Sequence, residues 1–181
     1  MKGDLVLLMR AADYAARQHI AQRRKGETAE PYVNHLTEVA ALLAEATGGE
    51  DVVLLVGGLL HDTLEDTDST FEDLVQRFGP EVAQLVAEVT DDKSLRKEER
   101  KRLQIEKTPC KSRRAKLLKL ADKTSNLRSL LLSPPKGWTE ERLRDYVQWA
   151  DAVVRSCRGL NAQLEAGFDA AYQQARARFG A

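Results

Sequence analysis

The stretch Val52-Val53-Leu54-Leu55-Val56-Gly57-Gly58-Leu59-Leu60 runs directly into His61-Asp62-Thr63-Leu64-Glu65-Asp66-Thr67. Its first nine residues are apolar on every side, which places that helix in the middle of a core rather than at a surface. They fall well short of the roughly 20 that a membrane-spanning helix needs. The ionisable groups that follow without a break sit at the end of a buried element. There each must be paired, solvated or bound to a metal.

Outward from this point the periodicity is helical. Leu5, Leu8, Met9, Ala12 and Ala16 recur at three- and four-residue steps, as do Leu36, Val39, Ala40 and Leu43, and again Val82, Leu85, Val86 and Val89. Breaks fall at Gly26 to Pro31, Gly48-Gly49, Gly79-Pro80, Pro109 and Ser133 to Gly137. Thr70 before Asp73, and Thr139 before Glu140 and Glu141, read as helix N-caps with acidic first turns. No window alternates long enough to propose a sheet. The expectation is an all-α chain, one globular domain over residues 1–181. Its core spans about residues 5 to 175, in about eight to ten helices.

The 181 residues carry 28 Lys+Arg against 28 Asp+Glu, and the zero sum argues against a dedicated nucleic-acid binder. The distribution is uneven. From His61 to Asp92 there are ten acids and one base, a net of −9; from Lys93 to Lys119 there are twelve bases and three acids, a net of +9. Two solvated helical faces of opposite sign would account for this. So would an acidic cluster that holds a cation beside a basic wall that holds an anionic substrate. The basic stretch has no interleaved aromatics for base stacking. Cys110 and Cys157 form no CxxC, and the start MKGDLVLLMR is too short in apolar residues for a signal peptide. A reducing, cytoplasmic setting without a membrane partner is expected.

Three histidines are present. His19, between Gln18 and Ile20, reads as a structural residue on a half-exposed helix. His35, after Pro31-Tyr32-Val33-Asn34, would alone be a capping or core histidine. His61-Asp62 is more pointed because Leu117 to Lys123 brings another carboxylate, Asp122, at the end of a second apolar stretch. His35, His61, Asp62 and Asp122 make a mixed nitrogen and oxygen set. It suits one divalent ion of intermediate hardness such as Mn²⁺, with Fe²⁺ or Zn²⁺ as alternatives. Helical spacing puts Glu65 four residues after His61 and Asp66 four after Asp62. Carboxylates there can take a proton from water or orient it. Asn126 and Ser129 share the Asp122 face, either as substrate contacts or as ordinary polar positions.

His35, then His61-Asp62, then Asp122 resembles the HD phosphohydrolase superfamily. Pro31-Tyr32-Val33-Asn34-His35, Leu59 to Thr67 and Lys119-Leu120-Ala121-Asp122-Lys123 resemble the hydrolase domain of RelA/SpoT-type alarmone enzymes, in particular their stand-alone small members, including the metazoan SpoT homologue. Glu88 to Lys93, Lys97 to Lys101 and Gly137-Trp138 with Glu141-Arg142 and Tyr146 match as well. The resemblance implies an HD-domain helical fold and Mn²⁺-dependent removal of the 3′-diphosphate of guanosine tetra- or pentaphosphate. It implies His35, His61, Asp62 and Asp122 as metal ligands and Glu65 and Asp66 as the catalytic pair. Arg24, Lys25, Lys97, Lys123, Asn126, Ser129, Trp138, Arg142 and Tyr146 fall at its substrate-binding positions. Relatives often carry Tyr or His where this chain has Ser125, and some have Thr at Ser129.

Hydrolysis alone is expected, because the length leaves no room for synthetase and regulatory domains. The same metal site could instead serve the adenosine alarmone or NADPH, from which orthophosphate would leave. A degenerate, nucleotide-sensing HD domain is the non-enzymatic alternative. The oligomeric state is not legible.

Overall fold

A computed structural model describes residues 2–181. Among them are ten α-helices, two short 3-10 turns and no strand beyond isolated bridge residues, Gly26 paired with Pro135 among them. The all-α expectation and the helix number therefore hold. The residues group into two compact units, Met1–Gln22 with Pro31–Leu95, and Arg23–Glu30 with Arg96–Ala181.

The first unit contains α1 (Lys2–Gln18), α2 (Val33–Thr47), α3 (Val52–Leu60), α4 (Thr63–Asp66), α5 (Phe71–Phe78) and α6 (Pro80–Val89). Helix α3 is its axis: Leu54 to Leu60 are all buried, and α1, α2 and α6 pack around it. Asp51 starts it by accepting from the Leu54 N–H at 3.1 Å. Gly58 lets α2 come close, since a Cβ there would lie 2.9 Å from Leu43 Cδ1 and 3.4 Å from Ala40 Cα. The breaks occur where glycine and proline placed them. Gly48 ends α2 with a φ of 67°, Pro80 opens α6, and Thr70 and Asp73 form a reciprocal capping box at α5. In α1 the buried face is Ala11 and Ala15, whereas Leu5 and Met9 are 62% and 61% exposed. These two share the helical period of α1 without contributing to the core.

One expectation is corrected. The helix does not run on through His61 and Asp62. It stops at Leu60, and a separate one-turn helix, α4, begins at Thr63. His61 Nδ1 hydrogen-bonds the Gly58 carbonyl at 2.8 Å, the acceptor that a continuing helix would offer to the Asp62 N–H. Asp62 turns out of helical geometry (φ −98°, ψ 0°).

The second unit contains α7 (Lys97–Lys107), α8 (Arg113–Leu132), α9 (Glu140–Val154) and α10 (Ala162–Phe179). Helix α8 is buried on nearly every side from Ala115 to Leu130, and α9 and α10 pack on it. Ser112, Thr139 and Asn161 cap α8, α9 and α10, each with a side-chain oxygen on a first-turn N–H. The loop Arg23–Glu30 is tied to the end of α8. Thr28 N–H donates to Ser133 Oγ at 3.0 Å, and a Cβ on Gly26 would come within 2.4 Å of the Ser133 carbonyl oxygen. Glycine is the side chain that fits there. Among the described residues no helix is long and apolar enough to cross a membrane.

Candidate functional site

In the first unit, His35 from α2 and His61-Asp62 from the end of α3 come together. One donor atom from each lies within 4.8 Å of the others. His35 Nε2 and His61 Nε2 face each other at 3.2 Å, and Asp62 Oδ2 is 3.2 Å from His61 Nε2 and 3.7 Å from His35 Nε2. The Gly58 carbonyl can only accept, so His61 carries its proton on Nδ1 and offers the Nε2 lone pair inward. Tyr32 Oη donates to Asp62 Oδ2 at 2.5 Å and sets that carboxylate. Two inward-facing ring nitrogens and a carboxylate oxygen, without thiolate, form a donor set that suits a divalent cation.

Glu65 and Asp66, on α4, have different surroundings. Glu65 Oε2 accepts from the Asp91 N–H at 3.2 Å. Burial, and next the neighbouring Asp62 charge, push its carboxyl above the usual range. Asp66 is held at both oxygens. Lys93 pairs with Oδ1, and Gln22 Nε2 donates to Oδ2 at 2.8 Å.

The second unit carries Asp122, on α8 and 7% exposed. Asn126 Nδ2 donates to its Oδ1 at 2.6 Å, and Lys123 Nζ to its Oδ2 at 2.8 Å. Arg24 donates to Asn126 Oδ1 at 3.1 Å, so the residues 24, 122, 123 and 126 named from sequence do converge. A second group is aromatic and basic. Trp138, Tyr146 and Trp149 follow one another at centroid spacings of 5.6 and 5.4 Å. Arg142 lies over Trp138 at 4.3 Å, Lys97 over the same ring at 5.9 Å, and Lys123 and Lys101 over Trp149 at 4.6 and 5.0 Å. Burial, then Arg142 and Lys25, lower the Lys97 ammonium pKa; burial, then Lys97, lower that of Lys101. Ser129 is half-buried on α8.

Several features escaped the sequence reading, Gln22 on Asp66 among them. Tyr32 lies in the string quoted before His35, so its role as an Asp62 donor had a signal. Lys101 and Trp149 share helices with Lys97 and Tyr146, and Trp149 Nε1 donates to the Lys101 carbonyl at 3.1 Å. His19 is not half-exposed. It lies beyond the end of α1 and is 3% exposed, because its ring stacks on Tyr32.

The chain matches the HD domain family across residues 11–153. It is 49% identical to the guanosine-3′,5′-bis(diphosphate) 3′-pyrophosphohydrolase MESH1 of Xenopus tropicalis, over 93% of this chain and 94% of that protein. It is 48% identical to MESH1 of Homo sapiens, over 96% and 97%. A solved structure described as a metazoan ortholog of SpoT that hydrolyzes ppGpp superposes with a TM-score of 0.89 at 50% identity, covering 93% of this chain and 94% of that one. On these matches and on the His-His-Asp group they frame, the chain belongs to the HD-domain family, among the stand-alone small alarmone hydrolases.

Proposed function

We propose that this chain is a guanosine-3′,5′-bis(diphosphate) 3′-pyrophosphohydrolase that also takes the pentaphosphate, releasing pyrophosphate with GDP or GTP. Residues 1–181 act as one hydrolase domain, a reading supported by a family match over residues 11–153 that spans parts of both units, and they do so in the cytoplasm. His35, His61, Asp62 and Asp122 hold one Mn²⁺. The observation that carries the reading is the convergence of His35 Nε2, His61 Nε2 and Asp62 Oδ2 within 4.8 Å, three residues before Glu65.

When bound, the ion polarises a water and offsets phosphate charge. Hydrolysis joins the water oxygen to the phosphorus on the ribose 3′ oxygen and breaks that P–O bond. One water proton must leave and the 3′ oxygen must gain one. Glu65, whose proton affinity is raised by burial and by Asp62, is suited to take and return that proton. Asp66, clamped by Lys93 and Gln22, orients the water. Tyr32 keeps Asp62 aimed. Arg24, Lys25, Lys97, Lys123 and Arg142 bind the phosphates. Trp138 and Tyr146 receive the base, and Asn126 and Ser129 the ribose. Charge neutralisation and positioning are what phosphoryl transfer chiefly asks of a protein.

The test is Mn²⁺-supplemented hydrolysis of the guanosine and adenosine alarmones and NADPH side by side. Pyrophosphate from the guanosine compounds is expected. Orthophosphate from NADPH as the dominant product would replace this reading, and no product from any of them would leave a nucleotide-binding module.

A further inference from the structure

His19 lies just past α1, its backbone N–H on the Ala15 carbonyl at 3.0 Å. The proposed chemistry does not use it, yet its ring is enclosed. Its surroundings assign its proton. The Asp66 carboxylate accepts, so Gln22 must turn Nε2 toward it, at 2.8 Å. That leaves Gln22 Oε1 facing the imidazole. An amide oxygen also only accepts, so His19 Nδ1 is the donor. His19 Nε2 then carries the lone pair, and it is buried with no hydrogen-bond partner among the described residues. Burying that nitrogen costs desolvation that an apolar ring would avoid. A purely space-filling role would therefore favour phenylalanine, whereas donation to Gln22 requires an N–H, which imidazole supplies and phenylalanine does not. The same ring stacks on Tyr32, centroids 5.3 Å apart at 21°, and Tyr32 donates to Asp62.

We propose that His19 is a positioning residue. Its Nδ1–H locks the Gln22 amide in the orientation that donates to Asp66, so that Asp66 is aimed by Gln22 at one oxygen and by Lys93 at the other. The inference deepens the proposed function, since it rests on Asp66 belonging to the catalytic pair.

Three variants and one spectroscopic readout test it. Gln22→Leu removes both bonds. His19→Phe keeps an aromatic ring for Tyr32 but removes the donor. His19→Asn restores an N–H close to the position of Nδ1. Gln22→Leu and His19→Phe are expected to lower kcat by about tenfold or more, the usual range for partners that orient site residues, with KM within about twofold and bound Mn²⁺ unchanged. His19→Asn should recover most of that loss. Equal kcat in His19→Phe and His19→Asn, or a loss carried by KM, overturns the proposal. So does a folded Gln22→Leu protein with wild-type kcat. Imidazole nitrogen shifts in the metal-free protein give a readout independent of turnover. His19 should show the Nδ1–H tautomer, and Gln22→Leu should release it into exchange between tautomers; an Nε2–H tautomer in wild type sinks the idea. If wild type hydrolyses none of the nucleotides while the tautomer is as stated, the functional reading fails and the wiring stands.

Discussion

The two units treat charge in opposite ways. In the first, each carboxylate near the two histidines has a donor already in place: Tyr32 on Asp62, the Asp91 N–H on Glu65, Gln22 and Lys93 on Asp66. In the second, Lys25, Lys97, Lys101 and Arg142 make no ion pair among the described residues, and three of them rest instead on the faces of Trp138, Tyr146 and Trp149. A ring face steadies a cation by about 0.5–2 kcal/mol without neutralising it. Donors committed in advance give the acidic side its geometry. Cations left uncompensated leave the basic side with a positive potential that attracts anions, and under the proposed function a polyphosphate would neutralise what the protein does not.

The sharpest way to break this comparison is to remove one group from each side. Asp62→Ala should abolish turnover, a loss of at least about a thousandfold, and lower bound Mn²⁺ in the purified protein. Wild-type activity in that variant would sink the ligand assignment. Arg142→Ala and Lys97→Ala should each cost about tenfold in kcat/KM, mainly through KM, because they remove binding from a charged ligand rather than a step of the reaction. The loss should shrink with salt in parallel with wild-type affinity. Should kcat fall instead while KM holds, the cations act on the transition state and the division between the units is wrong.

The apolar run Val52–Leu60, the capping threonines and the glycine and proline breaks were all legible, because local periodicity and turn chemistry decide them. The break after Leu60 was not. A hydrogen bond from a side chain to its own helix, His61 Nδ1 on the Gly58 carbonyl, leaves no mark in hydrophobic spacing. The exposure of Leu5 and Met9 was equally hidden, since periodicity finds a helical face but not what lies against it. His35, His61 and Asp62 could be paired from motif order, and they are brought together. Gln22 could not be found, because its role depends on the chain turning back after α1 to meet α4, a contact across 44 positions.

A smaller effect probes how the basic side is held. Gly26 sits where a Cβ would meet the Ser133 carbonyl oxygen at 2.4 Å, and a backbone atom cannot step aside as a side-chain tip can. Gly26→Ala should cost about 1–3 kcal/mol of stability, the usual range for overpacking. It should also raise KM, since the same loop carries Arg24 to Asn126. Unfolding midpoints and KM measured together separate the two consequences. A stability loss with KM unchanged would free Arg24 from its role on the nucleotide.

The smallest effect concerns Asp169 on α10, whose ion pair with Arg158 serves as a control for the unpaired cations. Arg158 donates to Asp169 at 2.9 Å, and the guanidinium holds the Asp169 carboxyl below its usual range. A carboxyl depressed in the folded state adds stability above its unfolded pKa of about 3.9, and that stability is lost as pH falls through the lower folded value. Asp169 is half exposed, so the contribution should stay under about 1 kcal/mol. Asp169→Asn should therefore lower the unfolding free energy slightly at pH 7 and not at all near pH 2, leaving kcat and KM as in wild type. A salt-sensitive change in KM in this variant would mean that paired and unpaired cations of the second unit act on the nucleotide alike.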